Sequence, residues 1–410
     1  MLSLLRQFPA LAEPGVRRYM AGQVASVLGT WVQNITLSLL LWELTHSPVM
    51  LGVLNFLLFG PALVVGPLTG SRLAPATARA TVLRVLAGSM LVTATLLAIA
   101  FTRGLTPVVL LVAAGVQGVL SAMEMPARQL LLTSSLADRT LLPNAVAMNT
   151  VVFNVGRMVG PAIAAVVFSL AGHVSAFVLN LLGLLLMRLC LAGLHAHVHT
   201  GPVARAAGLR GALSFARQDA FARRYLPTLV CMGLFVGSYQ TLIPVLAARE
   251  YGQAAAFTGL FFSCAGAGSL CAALLLASRH APGEAALRCT PWLSAAALAG
   301  VAASAWPALA APCFVLIGFT FTFTSTCVNA TLQHRAPDAV RGGMVGLYGM
   351  AFIGSAPIGH LMVGALSAAT GPRWAFAALS IALVSSLGLL AALVAAPASF
   401  TKPIPTPRRP

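Results

Sequence analysis

The stretch Asn154-Val-Gly-Arg-Met-Val-Gly-Pro161 lies inside an apolar run, 144–171, that decides the fold class. The hydrocarbon core of a bilayer is ~30 Å thick, so a helix rising about 1.5 Å per residue needs about 20 apolar residues to cross it. This run is long enough, and it is apolar around the whole helix, which is typical of a lipid-facing or deeply buried helix. A second run, 174–194, follows almost at once. The two runs predict adjacent membrane crossings.

The rest of the chain repeats this pattern. Of its 410 residues 59% are hydrophobic and 8% are charged, whereas soluble proteins carry about 25% charged residues. The runs lack the alternation of a β-barrel strand. We therefore predict an all-α integral membrane protein with twelve transmembrane helices, called spans one to twelve, at 19–43, 49–72, 80–101, 106–125, 144–171, 174–194, 225–248, 254–278, 286–305, 308–331, 343–369 and 372–396.

The basic residues indicate how the chain is oriented. The formal net charge is +17, but the arginines lie between apolar runs instead of on one solvated face, which argues against a nucleic-acid partner. Arg103, Arg249 and Arg373 fall in loops on one side, and nearly all other Lys and Arg residues fall on the opposite side. The positive-inside rule places that richer side, with both termini, in the cytoplasm. We expect a multi-pass protein of the cytoplasmic (inner) membrane that contacts anionic lipid.

The longest polar interval divides the chain into two halves. We predict an amino-terminal six-helix bundle at 1–195, a cytoplasmic linker at 196–222, a carboxy-terminal six-helix bundle at 223–400 and a disordered tail at 401–410. Residues 211–224 alternate apolar and basic side chains and are predicted to lie on the membrane surface as a short amphipathic helix. A weak repeat links the segments before spans five and eleven, and parallel repeats of this kind are typical of secondary transporters. We expect a monomer or weak dimer.

Motifs for other chemistries are missing from the sequence. The seven cysteines form no CxxC pair and no Cys/His cluster, and no Walker A or HExxH pattern occurs, so we expect no cofactor, no metal and no enzymatic activity. His360 is interpreted as a satisfied helix-packing residue.

Polar residues near the bilayer centre are the candidate substrate contacts. Arg157 lies ~20 Å along span five, where an arginine costs about 2.5–3.5 kcal/mol on insertion scales. Arg157 has either a structural role, in which it stabilises the packing of the helices, or a functional role in substrate binding or gating. Buried polar side chains pair across helices or face a cavity. We predict a cavity lined by Gln33, Asn34, Gln117, Asn154, Arg157, Tyr239, Gln240 and Thr322.

Acidic residues and helix-breaking residues are the candidates for coupling and gating. Glu43 and Glu124 are candidate proton-coupling groups, although Glu124 and Arg128 are spaced as an i, i+4 ion pair at the cytoplasmic rim. Small residues let helices approach closely and prolines bend them. The predicted gating and motif residues are Gly156, Gly160, Pro161, Arg128, Arg341 and Pro357.

These segments resemble the major facilitator superfamily, and within it the bacterial transmembrane secretion effector group that includes the enterobactin exporter. The resemblance covers nearly the whole chain and rests on residues 28–34, on residues 42–48, and most strongly on the stretch from Pro126 to Pro161. Gly156-xxx-Gly160-Pro161 is similar to the antiporter motif of span five, which implies export. The superfamily's acidic gate residue after span two is missing, since Pro75 and Ala76 stand where Asp and Arg are usual.

The residues and the resemblance together predict a secondary active exporter. It would move a small molecule, most simply a siderophore, out of the cytoplasm by proton-coupled alternating access. A cation in the cavity favours an anionic or oxygen-rich ligand. Multidrug efflux, import, and a membrane sensor or scaffold without transport remain the alternatives.

Overall fold

The computed structural model describes residues 9–102, 104–136, 138–192, 209–278 and 284–395. Eleven of its helical segments are long and apolar enough to cross a membrane. They are Pro14–Thr45, Pro48–Arg72, Pro75–Phe101, Pro107–Ser134, Leu142–Ala192, Ala220–Arg249, Ala254–Ala277, Glu284–Ala303, Pro307–Arg335, Val340–Thr370 and Pro372–Leu393.

Many of these segments begin at a residue that is suited to a helix start. Pro14, Pro48, Pro75, Pro107, Pro307 and Pro372 each open a segment, where the fixed φ of proline helps and its missing N–H is no loss. The Ser47 and Thr106 hydroxyls accept hydrogen bonds from the first turns of spans two and four. A proline or a capping hydroxyl therefore marks most of the helix starts on the side of the membrane opposite the chain's amino terminus.

The segment Leu142–Ala192 contains spans five and six. Its 51 residues turn at Gly172, where φ is 72° and ψ is −179°. Only glycine adopts this backbone conformation without strain, so Gly172 separates two crossings. The twelve predicted crossings are thereby confirmed, with spans five and six joined by one residue and not by a loop.

Alternate ends of the spans define two faces of the molecule. The linker face carries the start of span one and the helix Leu209–Gln218, and the distal face carries the turns at His46 and Gly371. Within the amino-terminal bundle span one packs most closely on spans five and six, because Gly29 and Gly183 admit the neighbouring backbone. In the carboxy-terminal bundle span ten packs between spans eight and nine.

The two bundles meet along two helix pairs. Span two packs on span eleven, and span five packs on span eight. Glycines make these contacts close: a Cβ on Gly52 would lie 2.6 Å from the carbonyl oxygen of His360, and a Cβ on Gly266 would lie 2.5 Å from the Cα of Met158. Substitution of either glycine would force the bundles apart.

The bundles are closed at the distal face and parted at the linker face. The distal half of span two packs along Ala356–Thr370 of span eleven, whereas its last turns, Val65–Arg72, pack on span four. Gly346 and Gly349, in the linker half of span eleven, face open space. The described helices therefore form a conformation that opens toward the linker face.

Spans seven and eleven are both broken near their middles. Span seven passes through a π-helical turn at Met232–Val236, and span eleven is interrupted between Phe352 and Ala356, one residue before Pro357. The two breaks are neighbours, since Gly233 lies against the Phe352 carbonyl and Gly359 against the Leu234 carbonyl. Non-helical backbone at this depth is tolerated only where protein or water surrounds it.

The predicted surface helix at 211–224 is two elements. The helix Leu209–Gln218 ends before Asp219, whose carboxylate accepts a 2.8 Å hydrogen bond from the Ala222 N–H and so caps span seven. Burial raises the pKa of Asp219, but hydrogen bonds from Arg335 and from the helix start outweigh it and leave the pKa below its usual value. Residues 196–208 of the predicted linker and the predicted tail at 401–410 lie outside the described residues.

Candidate functional site

Arg157 and Tyr239 meet at the boundary between the two bundles. The guanidinium Nη2 of Arg157, in span five, donates a 3.1 Å hydrogen bond to the hydroxyl of Tyr239, in span seven. Tyr239 is fully buried and Arg157 is partly exposed. Within the described part of the chain no carboxylate pairs with Arg157. The central cation thus has a neutral partner from the opposite bundle.

Span eight holds Arg157 at this boundary. A Cβ on Gly266 would lie 2.6 Å from the Arg157 carbonyl oxygen, so the glycine lets span eight pack directly on this turn of span five. About two turns further along span eight toward the distal face, Gly259 packs on Pro161 and Ala165 in the same way. The turn of span five that contains Arg157 therefore contacts both bundles.

Gly156 and Gly160 face a different neighbour from Pro161. Both glycines pack on span one, where their missing side chains accommodate Val27 and the Trp31 ring, whereas the Pro161 carbonyl faces span eight. The two glycines of the predicted motif therefore contact span one of the same bundle, and Pro161 contacts span eight of the opposite bundle.

Gln33 and Gln117 lie in the interior of the amino-terminal bundle. The Gln33 side-chain oxygen accepts hydrogen bonds from the Thr93 hydroxyl at 2.8 Å and from the Asn180 amide at 2.6 Å. Gln117 donates to the Ser89 hydroxyl at 3.2 Å. All five side chains are buried. This cluster joins spans one, three, four and six. Asn180 was not among the predicted site residues, although it is an amide side chain within the apolar run of span six.

The remaining predicted cavity residues have no side-chain partner from another span in the described hydrogen bonds. Asn154 donates to the Thr150 carbonyl of its own helix at 2.9 Å. Asn34, Gln240 and Thr322 are half-buried, and the Asn34 side-chain oxygen is buried without a partner. These side chains stay predicted substrate contacts.

Glu124 and Arg128 form the predicted i, i+4 ion pair, and it belongs to a larger network. Arg128 Nε donates to Glu124 at 2.8 Å, its Nη2 donates to the Ser26 hydroxyl at 2.7 Å, and its Nη1 donates to Gln23. The Tyr19 hydroxyl donates to the Arg128 carbonyl. The Arg128 and Glu124 side chains are 9% and 16% exposed, and their ion pair lies within span four. The hydrogen bonds of Arg128 to Ser26 and Gln23 join span four to span one.

The other predicted gating and coupling residues lie near the faces or at the helix break. Glu43 is exposed two residues before the distal end of span one, and Arg341 is exposed at the linker face, where its Nε donates to the Gln333 carbonyl at 3.0 Å. Pro357 is buried at the start of the second segment of span eleven. The structure does not bring these three residues together with Arg157.

At the distal face, spans one and seven are joined by an arginine. The Arg249 guanidinium lies 5.5 Å from the centre of the Trp42 ring, and its Nη2 lies 3.5 Å from the His46 carbonyl. A cation over an aromatic ring contributes about 0.5–1 kcal/mol at an exposed site. This contact joins the two bundles where they are closed.

The described residues contain no group of three His, Cys, Asp or Glu side chains that could hold a metal ion. Their polar groups can pair with one another and with a ligand that brings negative charge or oxygen atoms.

Comparisons with known proteins agree with this architecture. The family model described as transmembrane secretion effector matches residues 8–402. The staphyloferrin A transporter of Staphylococcus aureus (strain NCTC 8325 / PS 47) is 26% identical over 342 residues, which covers 82% of this chain and 85% of the relative.

Similar solved structures are also transporters. The nucleoside transporter NupG has a TM-score of 0.69 at 12% identity, covering 93% of this chain and 99% of that one. A bacterial homologue of the human lysosomal transporter Spinster, in an inward-facing and unoccupied conformation, has a TM-score of 0.67 at 12% identity, covering 93% and 95%. At these identities the likeness establishes the fold alone.

The family is one of membrane transporters and not a class of enzymes. With twelve crossings in a matching fold and a family match over nearly its whole length, the chain belongs to the transmembrane secretion effector family of the major facilitator superfamily.

Proposed function

We propose that this transporter exports a small anionic, oxygen-rich chelator of the siderophore class by alternating access, and that Arg157 binds an anionic group of that substrate. The observation that carries the proposal is the Arg157–Tyr239 contact. It places a cation between the bundles with a neutral partner, and no carboxylate of the described residues pairs with it. The relative that transports staphyloferrin A supports the substrate class.

Electrostatics explain why an anion would be preferred. An unpaired cation within a membrane is expensive, and such residues usually face a cavity or a functional partner. A substrate carboxylate or phenolate supplies the missing charge. The Arg157–Tyr239 hydrogen bond has a charge on one partner only, whereas a hydrogen bond from Arg157 to a substrate anion has charges on both partners and gains their Coulombic attraction as well. The substrate would therefore displace the Tyr239 hydroxyl from Arg157.

That exchange would connect binding to the movement of the bundles. Arg157 and Tyr239 belong to opposite bundles, so breaking their 3.1 Å contact removes a link between them. A ligand shifts a conformational equilibrium only by its different affinity for the two states. A substrate that replaces this link makes new contacts with one or both bundles and so biases their closure.

The direction of transport is proposed from the arginine distribution and from the open face. The linker-face loops hold nearly all of the Lys and Arg residues, which supports a cytoplasmic linker face and cytoplasmic termini in the inner membrane. The described conformation opens toward the linker face and would load substrate from the cytoplasm.

We propose that Glu124 is the proton-coupling group. Among the eight acidic residues it alone lies more than three residues inside a described span. Its ion pair with Arg128 lies within span four and orients the guanidinium that donates to Ser26 of span one. Protonation of Glu124 would therefore weaken a contact within the amino-terminal bundle. The exposed Glu43, at the distal end of span one, is the second candidate.

Uptake of staphyloferrin A into everted membrane vesicles tests the proposal. We expect Arg157→Ala to weaken apparent affinity about ten- to a hundredfold, the equivalent of one charge-assisted hydrogen bond. Arg157→Lys should retain part of the affinity because it keeps the charge. Tyr239→Phe should not weaken the apparent affinity, because it removes the hydroxyl that competes with the substrate for Arg157. Arg188→Ala serves as the matched control, because it removes an exposed arginine of span six whose guanidinium donates to the Leu83 carbonyl within the amino-terminal bundle.

Two outcomes would contradict the proposal. Wild-type vesicles that accumulate the cationic dye ethidium but not staphyloferrin A would favour multidrug efflux. Equal staphyloferrin A uptake by wild type and Arg157→Ala would show that the cation does not bind the substrate.

A further inference from the structure

A buried histidine takes part in the polar contact that closes the distal interface. His360 of span eleven is 2% exposed, and its Nδ1 lies 2.8 Å from the Thr241 hydroxyl of span seven. The same hydroxyl accepts a 3.2 Å hydrogen bond from the Asn55 amide of span two. Asn55 belongs to the amino-terminal bundle and the other two to the carboxy-terminal bundle, so the chain of hydrogen bonds crosses the interface.

The direction of each hydrogen bond follows from its neighbours. The Asn55 amide nitrogen also donates to the Leu51 carbonyl at 3.0 Å, which fixes the amide orientation and makes Asn55 the donor to Thr241. The described hydrogen bonds give the Thr241 hydroxyl proton no other acceptor, so we assign Thr241 as the donor and an unprotonated Nδ1 of His360 as the acceptor. The arrangement therefore requires a neutral imidazole.

The surroundings of His360 offer no counter-charge. The Phe59 ring stacks on the imidazole from span two with centroids 5.7 Å apart, and the close contact at Gly52 excludes water from the backbone beside it. Apart from His360, Tyr239 is the only titratable residue in 48–71, 239–248 and 356–370, and its hydroxyl is occupied by Arg157. Arg249 follows at the distal end of span seven and contacts Trp42.

We propose that His360 is the gate residue of the distal interface: its neutral form closes the interface through Thr241 and Asn55, and its protonated form holds the interface open. This inference rests on the alternating access proposed above, because only a transporter that opens at the distal face exposes His360 to water on that side.

The direction and size of the pH effect follow from the environments of His360 in the closed and open states. A buried imidazolium without a counter-charge is costly and also removes the acceptor that Thr241 needs. A solvated histidine takes up a proton near pH 6.5. If only the open state is protonated, lowering the pH from 7.5 to 5.5 raises the open-to-closed ratio about tenfold. Above pH 7.5 the ratio should no longer change.

Distances between spin labels at Val49 and Ala369 would measure the opening. Both positions are exposed at the distal ends of spans two and eleven, and the seven native cysteines would be replaced by alanine in the full-length protein. In proteoliposomes we expect wild type to shift toward the longer distance as the pH falls from 7.5 to 5.5. His360→Asn should lose that pH response, and His360→Gln provides a second variant if the first does not fold.

Control variants distinguish the pH response of His360 from that of other groups at the distal face. His46→Asn removes an exposed histidine at a left-handed residue, φ 47°, a conformation that asparagine tolerates, and it should keep the full pH response. Thr241→Val should favour the open distance already at pH 7.5.

A wild-type distance that changes with substrate but not with pH would overturn the role of His360 and leave alternating access intact. A single short distance under all conditions, with and without staphyloferrin A, would overturn both. A pH response of His360→Asn and His360→Gln equal to that of wild type would overturn the role of His360.

Discussion

Replacement of Gly52 by alanine should open the distal interface. The added Cβ would lie 2.6 Å from the His360 carbonyl oxygen and 3.4 Å from the Gly364 Cα. Both atoms belong to backbone, so no side-chain rotation can relieve the first contact. Spans two and eleven must part by roughly 0.8 Å to restore an ordinary van der Waals distance.

The magnitude follows from the cost of overpacking. Forcing extra atoms into a packed interface costs about 1–3 kcal/mol, and here that cost applies only to the closed distal interface. A difference of this size shifts a two-state equilibrium about 5- to 150-fold. Gly52→Ala should therefore raise the open-to-closed ratio by about that factor at pH 7.5.

Spin labels at Val49 and Ala369 would report the change. Gly60→Ala is the matched control in the same span, since its Cβ would lie 3.7 Å from the Phe56 ring, an ordinary contact. We expect the control to retain the wild-type distance. If Gly52→Ala also retained it, the close packing of spans two and eleven would not determine distal closure, and our account of the gate would be wrong.

Three further predictions concern stability in detergent. Glu124→Ala leaves the buried Arg128 without its carboxylate and should destabilise the protein by about 3 kcal/mol, while Glu284→Ala, which removes an exposed pair, should change the thermal midpoint little. Asn180→Ala removes a buried donor to Gln33 and should destabilise by about 1–3 kcal/mol; an unchanged midpoint would refute the importance of the amide cluster. Because the pKa of Asp219 is lowered in the folded state, its stabilisation is complete above the unfolded pKa, about 3.9, and is lost as the pH falls below it. The difference in midpoint between wild type and Asp219→Asn should thus be full at pH 7 and smaller near pH 3, and a difference independent of pH would contradict this reasoning.

Hydrophobicity was sufficient to predict the membrane fold. Each crossing needs a long apolar run, and the prolines that open spans one to four are visible in the sequence. The breaks in spans seven and eleven were harder to place, because π-helical geometry at Met232–Val236 depends on the packing of Gly233 and Gly359. No pattern in the local sequence specifies this π-helical turn.

The sequence was sufficient to predict how deep the candidate residues lie in the membrane, but not which way their side chains point. Counting residues placed Gln33, Gln117, Arg157 and Tyr239 near one level, and the structure brings Arg157 and Tyr239 together. Gln33 and Gln117 instead face the interior of their own bundle. In a helix that is apolar all round, hydropathy does not indicate which side meets the partner bundle, so rotation about the helix axis is fixed only by packing.

His360 illustrates the same limit. Its sequence context predicted a packing residue, and the structure gives it satisfied partners. That those partners belong to spans seven and two follows from tertiary structure alone.

The most direct test of the proposed export is siderophore secretion by a deletion strain grown without iron. We predict that the strain retains siderophore in the cells, that a wild-type copy restores its release, and that an Arg157→Ala copy present in the membrane at the same level does not. Secretion that is unchanged by the deletion, or fully restored by Arg157→Ala, would contradict the proposal that this transporter exports a siderophore through Arg157.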